Sequence, residues 1–264
     1  MTLTLDHHAI VTGGANGIGR CIAEYFAKAG AFVFVFDIDE KSGLALLDKY
    51  PDNMCFLCGD SAKKADIDSI VHYQEMPVHF VVNNACISRK GILSNCSYED
   101  FEYVQRVGVT APYYLVSQLY KKNVLPKGAS IVNIASTRGF QSQSDTESYS
   151  AAKGGILALT HALSVSLAGH ARVNAISPGW IDTSAFHENK TPDNTPTEHS
   201  IEDKQQHPAG RVGRPEDIAE MVMFLCDNDK AGFITGENII VDGGMSKLMV
   251  YNEDRGWKYE GDIS

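Results

Sequence analysis

The 264-residue chain reads as an α/β protein, a parallel sheet of seven strands covered by helices on both faces. Three observations predict this fold. Short β-branched and aromatic runs alternate with helical segments from end to end, the first run turns through clustered glycines straight into a helix, and polar residues collect where several runs end. No linker, repeat or low-complexity stretch divides the sequence, so residues 1–264 are expected to form a single domain.

The strands are expected at His8 to Val11, Phe32 to Phe36, Met54 to Leu57, His79 to Val82, Ser130 to Ala135, Arg172 to Ile176 and Asn238 to Val241. Helices are expected to start near Gly17, Glu40, Ala65, Tyr98, Ala111, Tyr149 and Pro215. Ser97 with Asp100 has the spacing of an N-terminal cap, and Pro215 suits a first helical turn.

The first strand runs into Thr12-Gly13-Gly14-Ala15-Asn16-Gly17-Ile18-Gly19. Glycines there permit a tight turn and close backbone approach, and the helix that follows offers free N–H groups and the positive end of its dipole to a pyrophosphate. Gly13, Asn16, Gly17, Ile18 and Gly19 are therefore candidate cofactor contacts, although the glycines at 13, 17 and 19 depart from G-x-G-x-x-G spacing. The second strand ends at Asp37, eighteen residues past Gly19, where a dinucleotide fold places an acid on the adenosine ribose. A carboxylate there favours NAD over NADP, because two unit charges roughly 4 Å apart interact by about 4 kcal/mol at an effective dielectric near 20. No Lys or Arg in the turn or directly after Asp37 reverses that preference.

Polar groups recur at the later strand ends: Gly59-Asp60-Ser61, Asn83-Asn84-Ala85-Cys86, Ser136, and Ser177-Pro178-Gly179-Trp180-Ile181-Asp182-Thr183. In open α/β sheets ligands bind beyond these carboxyl ends. Ser136 is followed thirteen residues later by Tyr149, and then by Lys153, four residues on along a helix, so that tyrosine and lysine share one face. An ammonium beside a phenol favours the phenolate, which lets a tyrosine exchange a proton with an alcohol or carbonyl while a serine hydroxyl holds the same oxygen. A Y-x-x-x-K match alone arises by chance in many chains; the glycine turn and the strand ends give it context.

The formal charge of −10 argues against a nucleic-acid partner. No apolar run approaches the ~18 residues that span a bilayer, and no signal peptide is evident, so a cytoplasmic protein is expected. The six cysteines form no spaced framework; Cys55-x-x-Cys58 lies in what reads as a buried strand, with its thiols on opposite faces, and is expected to be structural. Ser150-Ala-Ala-Lys153 matches the S-x-x-K of penicillin-binding hydrolases, with Ser144-Asp145 resembling part of a second element, but no K-T-G follows. His187-Glu188 lacks a second zinc histidine, and Asp227-Asn-Asp229 lacks the later calcium acid. Both read as surface residues, and no metal is expected.

Taken together, TGGANGIG (Thr12 to Gly19), GDSA around Asp60, NNAC (Asn83 to Cys86), Ser136, YSAAK (Tyr149 to Lys153), SPGWIDT, RVGRPEDIA (Arg211 to Ala219) and GENIIVDGG (Gly236 to Gly244) resemble the short-chain dehydrogenase/reductase family, in its order, from about His8 to Gly244. The resemblance implies a Rossmann-like, doubly wound, seven-stranded sheet, an NAD cofactor, a small alcohol or carbonyl substrate, and a homodimer or homotetramer. It implies Tyr149 as acid/base, Lys153 as the group that tunes it and holds the nicotinamide ribose, and Ser136 as the group that orients the substrate oxygen. Asp37 would bind the adenosine ribose, Asp60 and Ser61 line the adenine, and Asn84 and Ala85 approach the cofactor ribose. Pro178, Gly179, Ile181 and Thr183 would meet the nicotinamide.

Two positions depart from the family pattern. Gly108 stands where the family has an asparagine that holds a water linking the lysine to solvent; a backbone carbonyl with water is expected to complete that relay instead. Cys86 replaces a glycine, and either narrows the nicotinamide space or belongs to the core. Residues 184–210, with three His and three Pro, are the expected substrate lid, mobile until ligand binds. With Phe186 and Ile201 nearly its only large apolar groups, the lid favours a polyol, sugar or hydroxy acid over a sterol. Arg138 could hold an acidic substrate group or be a solvated ion-pairing residue. The tail 245–264, with Tyr251, Trp257 and Tyr259, is expected either to dock on a neighbouring subunit or to fray. The non-enzymatic alternative is an NAD(H) sensor or scaffold on the same fold, against which the presence of both Tyr149 and Lys153 argues.

Overall fold

The computed structural model describes residues 2–187 and 198–249. Seven parallel strands, β1 (His8–Thr12), β2 (Phe32–Asp37), β3 (Met54–Cys58), β4 (Val78–Asn83), β5 (Ala129–Ile134), β6 (Ala171–Pro178) and β7 (Asn238–Val241), lie in the order β3-β2-β1-β4-β5-β6-β7. Each expected strand forms within two residues of its expected ends. Runs such as Phe32 to Phe36 are apolar on both faces because helices cover both.

The helices are α1 (Gly17–Ala29), α2 (Glu40–Lys49), α3 (Lys64–His72), α4 (Tyr98–Gln105), α5 (Ala111–Lys121), α6 (Glu147–Ser166), α7 (Ile201–Gln205), α8 (Pro215–Cys226) and α9 (Asn228–Ala231). Along β1 the side chains alternate. Ala9 and Val11 join Ile22 and Phe26 of α1 and Ile218 and Val222 of α8, whereas Ile10 joins Ile67 and Ile70 of α3 and Leu115 and Leu119 of α5. The sheet therefore lies between two apolar layers. Strand order reverses beside β1, between β2 and β4, and the crevice this opens at the carboxyl ends is where a doubly wound sheet binds its ligand.

Three expectations change. The strand holding Cys55 and Cys58 is the sheet's edge, only half-buried, and Cys58 is exposed. Asp227 is buried, and its carboxylate caps α9 by accepting from Asp229 N at 3.0 Å while pairing with Lys230 at 3.3 Å. The helices at Tyr98 and Ala111 are one continuous run joined by a π-turn over Arg106–Thr110. Pro112 has no N–H to continue an α-ladder, and Ala111 N instead donates five residues back to Arg106 O.

Candidate active site

β1 ends in the glycine-rich turn, and α1 begins at Gly17. No side chain caps α1 and no acid stands in its first turn, so its leading amides remain for an anion. Gly17 has φ +58°, and a Cβ there would stand 3.5 Å from Thr183, filling a cradle rather than colliding with the chain. Gly19 works differently. A Cβ there would meet Gly13 O at 2.0 Å and Asn84 Nδ2 at 2.5 Å, so the residue packs beneath the turn rather than beside the cradle.

The turn is held from three sides. Asn84 Nδ2 donates to Gly13 O at 2.8 Å, the amides of Asn84 and Ala85 donate to Thr12 Oγ1 at 3.1 and 3.2 Å, and Ala15 N donates to Asp37 Oδ2 at 2.9 Å. Asp39 is the residue that sequence reasoning missed. Its carboxylate caps α2 through Ser42 and accepts from Asn16 Nδ2 at 2.9 Å, tying the turn to the end of β2. The Ser42 hydroxyl and amide, with Asn16, hold the Asp39 carboxyl below its ordinary range. An acid two residues past Asp37 and directly before a helix was the available signal.

A cavity of about 370 Å³ runs across the strand ends, lined by Gly13, Asn16, Gly17, Ile18, Asp37, Asp60, Ser61, Asn84, Ala85 and Thr183 among others. Tyr103 reaches into it and donates to Asp60 Oδ1 at 3.2 Å. A second cavity of about 760 Å³ shares Ile18, Asn84 and Cys86 with the first, and brings Ser136, Tyr149, Lys153, Pro178, Gly179 and Ile181 together. Cys86 is therefore not core: it is exposed, at the boundary between the two.

Lys153 is 4 % exposed and its Nζ donates to Ile134 O, at the end of β5, at 2.6 Å. The ammonium lies 5.5 Å from the centroid of the Tyr149 ring, and the Arg138 guanidinium carbon lies 5.7 Å from it. Two cations thus flank one phenol ring. Ser136 is buried and its Oγ accepts from Arg138 N at 3.2 Å, leaving the hydroxyl proton available to an oxygen in the cavity.

The helix bearing Tyr149 is held at both levels. Asp145, at φ +64°, accepts from the amides of Gly91 and Leu93 at 3.0 and 2.9 Å, and Glu147 accepts from Ile92 N at 3.2 Å, lashing the segment after β4 to the start of α6. This, rather than part of a hydrolase motif, is what Asp145 does. Deeper in, Asn83 Nδ2 donates to Asn133 Oδ1 at 2.8 Å and Asn133 Nδ2 to Thr160 Oγ1 at 2.9 Å, a buried polar chain from β4 through β5 to α6. SPGWIDT is pinned to RVGRPEDIA, since Asp182 N donates to Gly213 O at 2.9 Å and Gly213 N donates to Trp180 O at 3.1 Å; within the second segment Arg211 grips Asp217 at the start of α8.

Of the expected lid, residues 188–197 lie outside the described residues. Asp203 and Gln206 line the larger cavity, while Phe186 packs on the core and Ile201 points to solvent. Of the tail, Met245 lines the cavity; Tyr251, Trp257 and Tyr259 lie outside the described residues. No group of metal-ligating side chains occurs among the described residues, and no helix among them is long and apolar enough to cross a membrane.

Comparison with known proteins agrees with this geometry. A family model described as enoyl-(acyl carrier protein) reductase matches residues 13–246. The chain is 44 % identical over 255 residues to an uncharacterized oxidoreductase of Thermotoga maritima, covering 93 % of this chain and 98 % of that one. It is 34 % identical to a 3-oxoacyl-[acyl-carrier-protein] reductase of Chlamydia muridarum, over 93 % and 99 %. Among solved structures it superposes with a TM-score of 0.85 on an apo SCOR enzyme from Clostridium thermocellum, 45 % identical and covering 97 % and 99 % of the two chains. It superposes at 0.81 on a short-chain dehydrogenase/reductase from Brucella melitensis, a glucose/ribitol dehydrogenase, 28 % identical over 95 % and 100 %. The chain belongs to the short-chain dehydrogenase/reductase family of oxidoreductases that use a nicotinamide cofactor.

Proposed function

We propose that the protein interconverts an alcohol and a carbonyl on a small polyhydroxylated substrate with NAD(H), using Tyr149 as the proton-transferring group. Asp37 and Asp60, the amides opening α1, Asn84, Ala85, Lys153 and Thr183 would hold the cofactor. When bound, the nicotinamide supplies or takes up the hydride at the substrate carbon. In oxidation the Tyr149 oxygen accepts the alcohol proton, and in reduction it returns one to the carbonyl oxygen. Lys153 and Arg138 stabilise the charge that this exchange develops on the phenol, and Ser136 Oγ donates to the same substrate oxygen. Lys153 is in turn held against the Ile134 carbonyl, the backbone group that can serve a proton relay where Gly108 has no side chain.

The carrying observation is the convergence of Ser136, Tyr149 and Lys153 on one cavity that adjoins a glycine-turn cleft with a carboxylate at the end of β2. The substrate class rests on the rest of that lining. Arg138, Gln141, Ser142, Gln143, Asp203 and Gln206 offer donors and acceptors, and the Trp180 ring offers a flat apolar face of the kind that receives the C–H side of a sugar or polyol. The glucose/ribitol dehydrogenase neighbour supports the same class.

The test is a panel of sugars, polyols, hydroxy acids, sterols and 3-oxoacyl thioesters followed by NADH absorbance. Turnover is expected with polyols or sugars, and turnover confined to acyl thioesters would overturn the substrate class. Tyr149→Phe is expected to lower kcat by about 100-fold or more while leaving the NADH dissociation constant within about threefold. A variant that keeps its activity would remove Tyr149 from the proposed role.

A further inference from the structure

We propose that His187 is a ligand of the cofactor pyrophosphate, supplying at the glycine-rich turn a positive charge that the turn itself lacks; this rests on the dinucleotide reading above. Among the described residues the cleft has Asp37 and Asp60 on its wall, and His187 is the one lining group able to carry a positive charge. A pyrophosphate diester brings two negative charges into that space. The amides and dipole of α1 offset part of the repulsion, equivalent to roughly half an elementary charge at the helix start. An imidazolium offsets more, and does so with a directed hydrogen bond.

The geometry puts it in the right place. His187 Nε2 stands 3.2 Å from Thr183 Oγ1 and 3.9 Å from the point where a Cβ on Gly17 would be, so the ring hangs over the start of α1, where an anion would sit. Its segment is anchored on both sides: Phe186 N donates to Thr183 O at 2.9 Å and the Phe186 ring packs on the core. The imidazole itself is exposed, free to exchange its threonine contact for a phosphate oxygen. Among the described residues its polar partner is Thr183, a residue on the same cleft wall.

Isothermal titration with ADP-ribose and NADH, and with adenosine as the phosphate-free control, tests this. For His187→Ala and His187→Gln, ADP-ribose and NADH are expected to bind about five- to tenfold more weakly than to the wild type, with adenosine unchanged. Equal binding by wild type and variants, or an equal loss for adenosine, overturns the proposal. A wild type that binds neither ADP-ribose nor NADH overturns the dinucleotide reading and this one with it.

A pH series separates charge from shape. Imidazoles change charge between pH 5 and 8, so wild-type affinity for ADP-ribose is expected to tighten about threefold or more from pH 8 to pH 6, and to stay flat in His187→Gln. The charged and titratable groups around the ring are Asp37, Asp60, Tyr103 and Cys86 on the cavity wall, the Arg20–Glu24 pair on α1, and Asp182, engaged with His199. An unchanged pH dependence in His187→Gln assigns it elsewhere, to His199 among others, and overturns the charged role of His187.

Discussion

His8 and His79 sit at the end of the sheet remote from the candidate site, where burial disfavours the charged form of both. Burial lowers the pKa of His8, which is 9 % exposed with its ring 5.6 and 5.8 Å from those of Phe32 and Phe34. Burial, then repulsion from His7 and His8, lowers that of His79. The His79 Nδ1 also accepts from His8 N at 3.3 Å, a bond that protonation of that nitrogen breaks. In the unfolded chain both imidazoles take up protons near pH 6.5, whereas in the folded chain they resist until lower pH. The unfolded state therefore binds more protons as pH falls below that point, and stability falls with it. Melting followed from pH 7.5 to 5.5 is expected to show a decline on the order of a few degrees. His79→Asn, which keeps an acceptor near the Nδ1 position but does not titrate, is expected to flatten it; an unchanged slope in that variant would assign the acid sensitivity elsewhere.

The interrupted helix formed by α4, the π-turn and α5 is the element where a single residue type matters most. A Cβ on Gly108 would lie 2.9 Å from Ala152 Cβ, and one on Gly155 would lie 2.9 Å from Val109 Cγ2, so the π-turn and α6 approach closely on either side of Lys153. Exchanging a mid-helix glycine for another residue normally gains a few tenths of a kcal/mol in helix propensity. Overpacking costs about 1–3 kcal/mol and outweighs that gain. Gly108→Asn is thus expected to lower stability by about 1–2 kcal/mol in urea unfolding, with Ala152→Gly restoring part of the loss. A turnover gain above about tenfold would instead show that Lys153 and the Ile134 carbonyl leave the proton relay incomplete. The glycine was legible in the sequence as a departure, but its cause was not. The contact joins residues 108 and 152, and the π-turn that creates it follows from Pro112, whose missing N–H leaves no local apolar pattern to read. The strands were legible for the opposite reason: runs such as Phe32 to Phe36 are continuously apolar between polar and glycine-rich punctuation. Asp39 was missed and Asp145 was read only beside a hydrolase motif, because Asn16 and Gly91, whose amides they bind, lie 23 and 54 residues away.

At the scale of the whole molecule, the smaller cavity is assembled from the ends of β1, β2, β3 and β4 and from the segment after β6, so a dinucleotide held there would touch segments from Gly13 to His187. Binding to the folded state alone stabilises it by about 2.7 kcal/mol at a ligand concentration 100 times the dissociation constant. For a chain of this size that corresponds to a rise in melting temperature of roughly 5–10 °C. NADH is expected to produce this rise. NADPH at the same concentration is expected to produce less, because the Asp37 carboxylate, tied to Ala15 N, and that of Asp39, tied to Asn16, both stand at the end of β2 where the 2′-phosphate would enter. Asp37→Ser is expected to narrow the difference without erasing it, since Asp39 remains. Equal stabilisation of the wild type by both cofactors would overturn the NAD preference, and no rise with either would remove the dinucleotide from this cleft altogether.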